Sequence, residues 1–267
     1  MKVGIIGSRG QLGSNILNCL NKNVISIERK HSIPDSVNTL ILAAGSSNSR
    51  DSETKTKLEF EDFYNFTKSI NYKKMKKIYF ISSGGSIYGD NSSIPLHEDS
   101  KKNPQSEYGL LKSKQETILM NQVAKSECQL IIFRLANVFS KNPKGLIKRI
   151  FDCQRDNSTF EYLVDPNSQK QYGSAEDYSK IICNIVTTVN FTNKVVIRNL
   201  YSPFVYSVKE ICDIFQKKQY FSVSPLRLNL PQQTIILTSN YNDILDNSLM
   251  WSKIESYYED LSKIAKS

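Results

Sequence analysis

Short apolar runs alternate with stretches of helical periodicity from the first residue onward. The runs Lys2 to Ile6, Val24 to Glu28, Val37 to Ala43 and Ile78 to Ser82 are bounded by turn residues and predict strands. Between them, apolar positions recur at helical spacing over Gln11 to Asn21 and over Glu59 to Asn71, the second stretch carrying Phe60, Phe63, Tyr64, Phe66 and Ile70. Strand and helix in alternation predict an α/β fold, a doubly wound parallel sheet with helices on both faces. A long helix, Glu107 to Ala124, and a buried strand, Gln129 to Leu135, continue the pattern. Two polar stretches, Gly45 to Lys57 and Gly89 to Gln105, are long enough to be functional loops.

Beyond Val138 the character changes. A basic helix (Gly145 to Cys153), a short strand (Phe160 to Val164), a helix opening at Ala175, a strand near Val195 and a helix from Val208 to Phe215 behind the cap candidate Ser207 are expected there. No linker rich in Gly, Ser or Pro separates independent units. The expected organisation is a sheet domain over residues 1–140 and a small lobe over 141–267, partly interleaved with that sheet.

The 267 residues carry a net charge of +9, with 39% hydrophobic and 23% charged positions. That is ordinary globular composition and excludes collagen, coiled coil and wholesale disorder. No run approaches the ~18 apolar residues of a membrane span, and the chain opens directly into a strand, so a cytoplasmic protein without membrane attachment is expected. Cys19, Cys128, Cys153, Cys183 and Cys212 are widely spaced in apolar surroundings and read as reduced core residues. Only His31 and His97 are present, which leaves little material for a metal site or a His-based triad. The lysines around Tyr72 to Lys77 read as the end of a helix, where cations complement the helix dipole, rather than as a nucleic-acid surface.

The run Gly7-Ser8-Arg9-Gly10-Gln11-Leu12-Gly13 stands between the first strand and the first helix. Glycines there let the backbone approach a pyrophosphate, and the free amides of the helix start bind it. Glu28 ends the second strand, 21 residues after Gly7, where an acid hydrogen-bonds the ribose hydroxyls of NAD. Arg9 and Arg29 pull the other way, as a grip for a 2′-phosphate, and incline the reading to NADP(H) over NAD(H).

Tyr108 and Lys112 lie one helical turn apart, 25 residues after Ser83 in the run Ile81-Ser82-Ser83-Gly84-Gly85-Ser86-Ile87-Tyr88-Gly89. With these come Ala43-Ala44-Gly45 after the third strand run, Glu98 before the Tyr108 helix, Arg134-Leu135-Ala136-Asn137-Val138-Phe139, and the acidic pair Glu176-Asp177. Taken together, these motifs resemble those of the extended short-chain dehydrogenase/reductases, in the branch of nucleotide-sugar epimerases, dehydratases and reductases. The resemblance spans nearly the whole chain.

The resemblance implies a Rossmann-type domain with a substrate lobe and Tyr108 as the general acid/base. Lys112 would stabilise its phenolate and bind the nicotinamide ribose. It implies cofactor contacts from Gly7, Arg9, Gly10, Gln11, Leu12, Gly13, Glu28, Arg29, Ala43, Ala44 and Gly45. Substrate contacts would come from Ser83, Gly84, Ser86, Asn137, Lys148 and Lys170, with Lys144 and Arg149 as further candidates for the substrate's phosphates. The family hydroxyl that polarises the reacting oxygen falls at Gly84 here, so Ser83 or Ser86 is expected to replace it. No carboxylate stands at Gly84 to Ser86, which argues against a dehydratase. Lys170-Gln171-Tyr172 replaces the usual Arg-Asp-Tyr, and Lys cannot reproduce an arginine fork. Only eight residues separate Glu28 from Val37, so the sheet is expected to lack a strand that relatives use near the adenine. The expected function is a 4-epimerase or 4-keto reductase acting on a nucleotide-diphosphate sugar for surface polysaccharide synthesis, as a homodimer. The alternative is a non-catalytic NADP-binding sensor or scaffold of the same fold.

Overall fold

The first strand, β1 (Val3–Ile6), is buried throughout and pairs in parallel with β2 (Val24–Ile27) on one side and β3 (Thr39–Leu42) on the other. The computed structural model describes residues 2–21, 24–89, 94–217, 221–225, 229–241 and 250–264, with side chains to residue 259. Residues 90–93 of the expected loop Gly89 to Gln105, and 218–220, 226–228, 242–249 and 265–267 of the expected second lobe, lie outside the described residues. Beyond β3 the sheet continues through β4 (Lys77–Ser83), β5 (Gln129–Leu135) and β8 (Val195–Leu200), in the order β2-β1-β3-β4-β5-β8, every pairing parallel. This is the expected doubly wound sheet, and β2 forms its edge because residues 28–38 contain neither helix nor strand.

Two helical layers cover it. On one face α1 (Gln11–Leu20) packs with α6 (Ala175–Thr188), burying Ile16, Leu20, Tyr178 and Ile182 against Val3, Ile41 and Phe133. On the other, α2 (Glu53–Ser69) and α4 (Glu107–Val123) bury Phe63, Phe66, Leu119 and Val123 against Leu40, Ile78 and Ile132. The short α3 (Gly84–Tyr88) follows β4 directly. In the C-terminal part, β6 (Asn137–Phe139), β7 (Gln169–Ser174) and β9 (Val205–Ser207) form a three-stranded sheet. Around it α5 (Gly145–Arg155), α7 (Val208–Gln216) and α8 (Ile254–Ile264) share a third core through Ile150, Ile211, Phe215 and Tyr258. Ser207 caps α7 in a reciprocal box with Glu210, as its position suggests.

Several expectations are corrected. The second helix starts at Glu53 rather than Glu59, because Ser52 accepts from Lys55 N–H and caps two polar, solvent-facing turns that no apolar periodicity reveals. Phe160 to Val164 is not a strand; Phe160 makes only a single bridge, to Val223. Cys19 is exposed and Cys153 half-buried, so of the five free thiols only Cys128, Cys183 and Cys212 are core residues. Among the described residues, no helix is long and apolar enough to cross a membrane.

Candidate active site

At the carboxyl end of β1 the chain turns at Gly7, whose φ of +93° favours glycine, and a Cβ there would stand 2.6 Å from the backbone of Ala44. Gly10 N–H closes the turn onto Gly7 O at 2.9 Å, and a side chain at Gly13 would overlap that carbonyl. Three glycines therefore bring loop, helix start and the end of β3 into one tight junction. It lies between β1 and β3, where the strand order reverses and where open α/β sheets bind ligands. No side chain caps the amino end of α1, leaving its amides for an anion.

Ala43 N–H donates to Ile6 O, and Ala44 lines the cleft that runs from this loop along the ends of β1 and β2. The cleft measures about 850 Å³ and is walled by Gly7, Arg9, Glu28, Arg29 and residues of α2. At its lip the two residues that argue for different cofactors pair with each other: Arg9 Nη2 reaches Glu28 Oε1 at 3.4 Å, with 88% and 56% of the side chains exposed. Gln11 turns away from the cleft and donates to Ser140 Oγ at 2.6 Å and Asn142 O at 2.5 Å. Leu12 packs on the core, its carbonyl accepting from Ser179 Oγ.

Tyr108 and Lys112 rise from the first two turns of α4, which Ser106 caps through Gly109 N–H. Gly109 is required because Ser86 of α3 packs its backbone there. Lys112 Nζ donates to Ile81 O at 3.3 Å and lies 5.8 Å from the centre of the Tyr108 ring. Burial and the nearby Glu59 carboxylate push the Tyr108 phenol above its ordinary value, while the facing Ser83 hydroxyl favours ionisation. Burial brings the Lys112 ammonium down to about 8; Glu59 opposes this, Arg29 adds to it and Glu116 opposes it. Of the two candidate serines, Ser83 is thus the one beside Tyr108.

A buried polar network supports this corner from below. Arg134 grips Glu116 through Nε–Oε1 at 3.1 Å and Nη2–Oε2 at 2.9 Å, and its Nη1 reaches Tyr88 Oη and Glu98 O. Ser82 and Lys102 donate to the same carboxylate at 2.7 Å each. Glu116 sits two turns beyond Tyr108, so this network ties α4 to β4 and β5 and fixes the height of Tyr108 over the sheet.

Gly84 is buried, and the side chain of Leu237 fills the space beside it. Leu237 belongs to a segment that bridges to Leu96 and Lys170 and hydrogen-bonds Gln171 on both sides of its peptide. Asn137 opens β6 and donates to Gln171 O at 3.1 Å; Lys170 Nζ lies half-buried at 3.4 Å from Gln233 Oε1. These elements of the second sheet converge on the Gly84 side of the site. Lys148 does not join them: it pairs with Asp152 at 2.6 Å on the exposed face of α5. Lys144 precedes α5 at the surface, and Arg149 is spent on Glu161 O and the Phe160 ring. The acidic pair at the start of α6 is structural, Glu176 accepting from Tyr257 Oη and Asp177 from Ser252 N–H. Among the described residues no cluster of three His, Cys, Asp or Glu side chains could hold a metal.

Sequence reasoning missed Glu59 and Leu237. Glu59 shares a helical face with Phe63 and Phe66, and an acid on an apolar stripe is a signal that was available. Leu237 depends on contacts remote in sequence and left no local trace.

The chain matches the model of the NAD dependent epimerase/dehydratase family over residues 29–197, a span that excludes the glycine loop and includes Tyr108 and Lys112. A protein of Methanocaldococcus jannaschii named as a candidate UDP-glucose 4-epimerase is 30% identical over 145 residues, 52% of this chain and 46% of that one. The match therefore spans about half the length of that relative. Among solved structures, MoeE5 in complex with UDP-glucose and NAD superposes with a TM-score of 0.80 over 100% of both chains at 15% identity. UDP-N-acetylglucosamine 4-epimerase from Methanobrevibacter ruminantium M1 gives 0.75 over 98% of both chains at 15% identity. The Bordetella bronchiseptica enzyme WbmH, in complex with NAD+, gives 0.76 over 97% of this chain and 98% of that one at 16% identity. At these identities the structures speak to the fold. With its family match covering more than half of its length, and with Tyr108 and Lys112 inside the matched span, this chain belongs to the NAD dependent epimerase/dehydratase family, of the extended short-chain dehydrogenase/reductase kind.

Proposed function

We propose that the protein acts on a nucleotide-diphosphate sugar at C4, as a nicotinamide-dependent 4-epimerase or 4-keto reductase, with Tyr108 as the acid/base. The observation that carries this is the meeting of Tyr108, Lys112 and Ser83 on the same rim of the sheet as an uncapped helix start. The epimerase arm draws support from the names of the relatives, one a UDP-N-acetylglucosamine 4-epimerase and one a candidate UDP-glucose 4-epimerase. A dinucleotide fits the residues present: the glycines of the loop leave its backbone open, the α1 amides are free for a pyrophosphate, and the adjoining cleft is large enough for the adenosine half. When bound, it supplies the hydride acceptor or donor.

The chain's own residues handle the proton. Tyr108 takes it from the C4 hydroxyl or returns it to the C4 carbonyl, and Ser83, beside the phenol, hydrogen-bonds the same oxygen. Ionising a tyrosine near neutrality takes at least about 4 kcal/mol of phenolate stabilisation, to which the Lys112 charge contributes. Asn137 and Lys170 are our candidates for the substrate's diphosphate and sugar, Lys170 coming from the proposed substrate lobe, residues 141–267. Lys148 stays a weaker candidate because its partner is Asp152.

For the cofactor, the exposed Arg9–Glu28 pair offers an acid for ribose hydroxyls and, if the pair opens, a cation for a 2′-phosphate; Arg29 beside it keeps NADP(H) our preference over NAD(H). We extend the proposal to a homodimer built on α2 and α4, where Leu58 and Leu110 are exposed, and to a place in surface polysaccharide synthesis. A non-catalytic sensor or scaffold is the second reading, favoured by Leu237 occupying the room beside Gly84. Denaturing the purified protein and identifying released nucleotide by mass spectrometry tests the scheme. Retained NAD supports the epimerase, an empty protein that binds NADPH better than NADH supports the reductase, and a protein that binds neither refutes both.

A further inference from the structure

Glu59 is a buried acid that the proton chemistry above does not use. It is 5% exposed, and its two oxygens have different surroundings. Oε2 accepts from Ser46 N–H at 2.8 Å, Ser47 N–H at 2.8 Å and Ser46 Oγ at 3.1 Å, so the loop leaving β3 fixes the carboxylate. Oε1 is buried and makes no well-formed hydrogen bond, although the Ser47 hydroxyl and the Lys112 charge both act on the carboxylate and favour its ionised form. Oε1 lies 3.1 Å from the place a Cβ would take at Gly45, and Lys112 Nζ lies 3.8 Å from the same point. Gly45 thus leaves no side chain between this oxygen and the rim of the site.

A buried carboxylate oxygen without a well-formed hydrogen bond is uncommon and calls for an explanation. Its position supplies one. Glu59 stands at the carboxyl end of β3, between the glycine loop after β1 and Tyr108 beyond β4. In the cofactor reading above, on which this inference rests, a dinucleotide spans from that loop to Tyr108 and passes this rim.

We infer that Glu59 selects the redox state of the bound dinucleotide, its carboxylate favouring the oxidised form, whose nicotinamide is cationic, over the neutral reduced form. A fixed charge in a poorly hydrated site discriminates between ligands that differ by one charge, without needing a direct bond to either. Lys112 is the counterweight. Its ammonium opposes a cationic ring, and Glu59 offsets that repulsion while leaving Lys112 free to face Tyr108.

The test is calorimetric titration of the 267-residue protein with NADP+ and NADPH, and separately with NAD+ and NADH, without sugar substrate, for the native chain, Glu59→Gln and Lys112→Met. Glu59→Gln is expected to lower the ratio of oxidised to reduced affinity by roughly tenfold. Lys112→Met is expected to raise the same ratio, even where it weakens both forms. Should the Gln variant fail to fold, Glu59→Asp carries the test, with the ratio falling by a smaller factor as the charge withdraws from Gly45. An unchanged ratio in a variant that folds, or equal loss of both affinities, overturns the inference while leaving the cofactor reading intact. A native protein that binds neither form overturns the cofactor reading itself, and this inference with it.

Discussion

Leu237 Cδ1 stands 2.6 Å from where a Cβ on residue 84 would be, so any side chain at position 84 would require the buried Leu237 side chain to move. An apolar side chain delivered by a remote segment thus takes the room that a side chain at position 84 would need. Adding a hydroxyl-bearing side chain there alone should be costly. Gly84→Ser is expected to destabilise the protein by about 1–3 kcal/mol through overpacking, and Leu237→Ala in the same chain to recover part of that loss. Urea unfolding of the two single variants and the double variant measures the coupling; strict additivity would contradict it.

Gly13 is expected to tolerate no side chain. Its Cβ would overlap the Gly7 carbonyl, a backbone atom that cannot step aside without reshaping the loop. Gly13→Ala should lose about 3 kcal/mol of stability and at least tenfold in dinucleotide affinity. Gly10→Ala, whose Cβ would meet Gly7 O at 3.3 Å, should be milder on both counts.

The Glu116–Arg134 pair sets an acid limit to stability. Burial works to raise the Glu116 carboxyl, but the Arg134 hydrogen bonds and charge, with Lys102, outweigh it and hold it below its ordinary value. A carboxylate depressed in the folded state contributes stability above its unfolded pKa of about 4.3, and that contribution is lost as pH falls through the folded value. Unfolding free energy should therefore drop on acidification below about pH 5. Glu116→Gln should flatten that limb and cost about 3–5 kcal/mol at pH 7, because it strands a buried arginine.

Much of this fold is legible in local pattern. β5 falls on the expected residues because its apolar run is bounded by polar ones, and the glycine spacing with Tyr108 and Lys112 points to both halves of the proposed site from local sequence alone. What escapes local reading depends on solvent or distance. The first turns of α2 face water and carry no apolar rhythm, so only the Ser52 cap announces them. β6 and β9 are three residues each and exist through pairing with β7, far away in sequence. Glu59 shows locally only as an acid on an apolar stripe, and its hold by the Ser46 and Ser47 amides comes from the loop after β3 folding onto α2.

The central claim is that Tyr108 moves the proton in a hydride-transfer reaction on a nucleotide sugar. The most direct test compares native protein with Tyr108→Phe, measuring dinucleotide affinity by calorimetry and conversion of a panel of UDP- and dTDP-sugars, with and without a 4-keto group, by NMR. The account predicts that the native protein converts at least one of these sugars. It predicts that the variant loses turnover by about 10²–10⁴-fold while keeping its dinucleotide affinity within about threefold. A variant that turns over as fast as the native protein, or a native protein that binds the dinucleotide yet converts none of the panel, would contradict it.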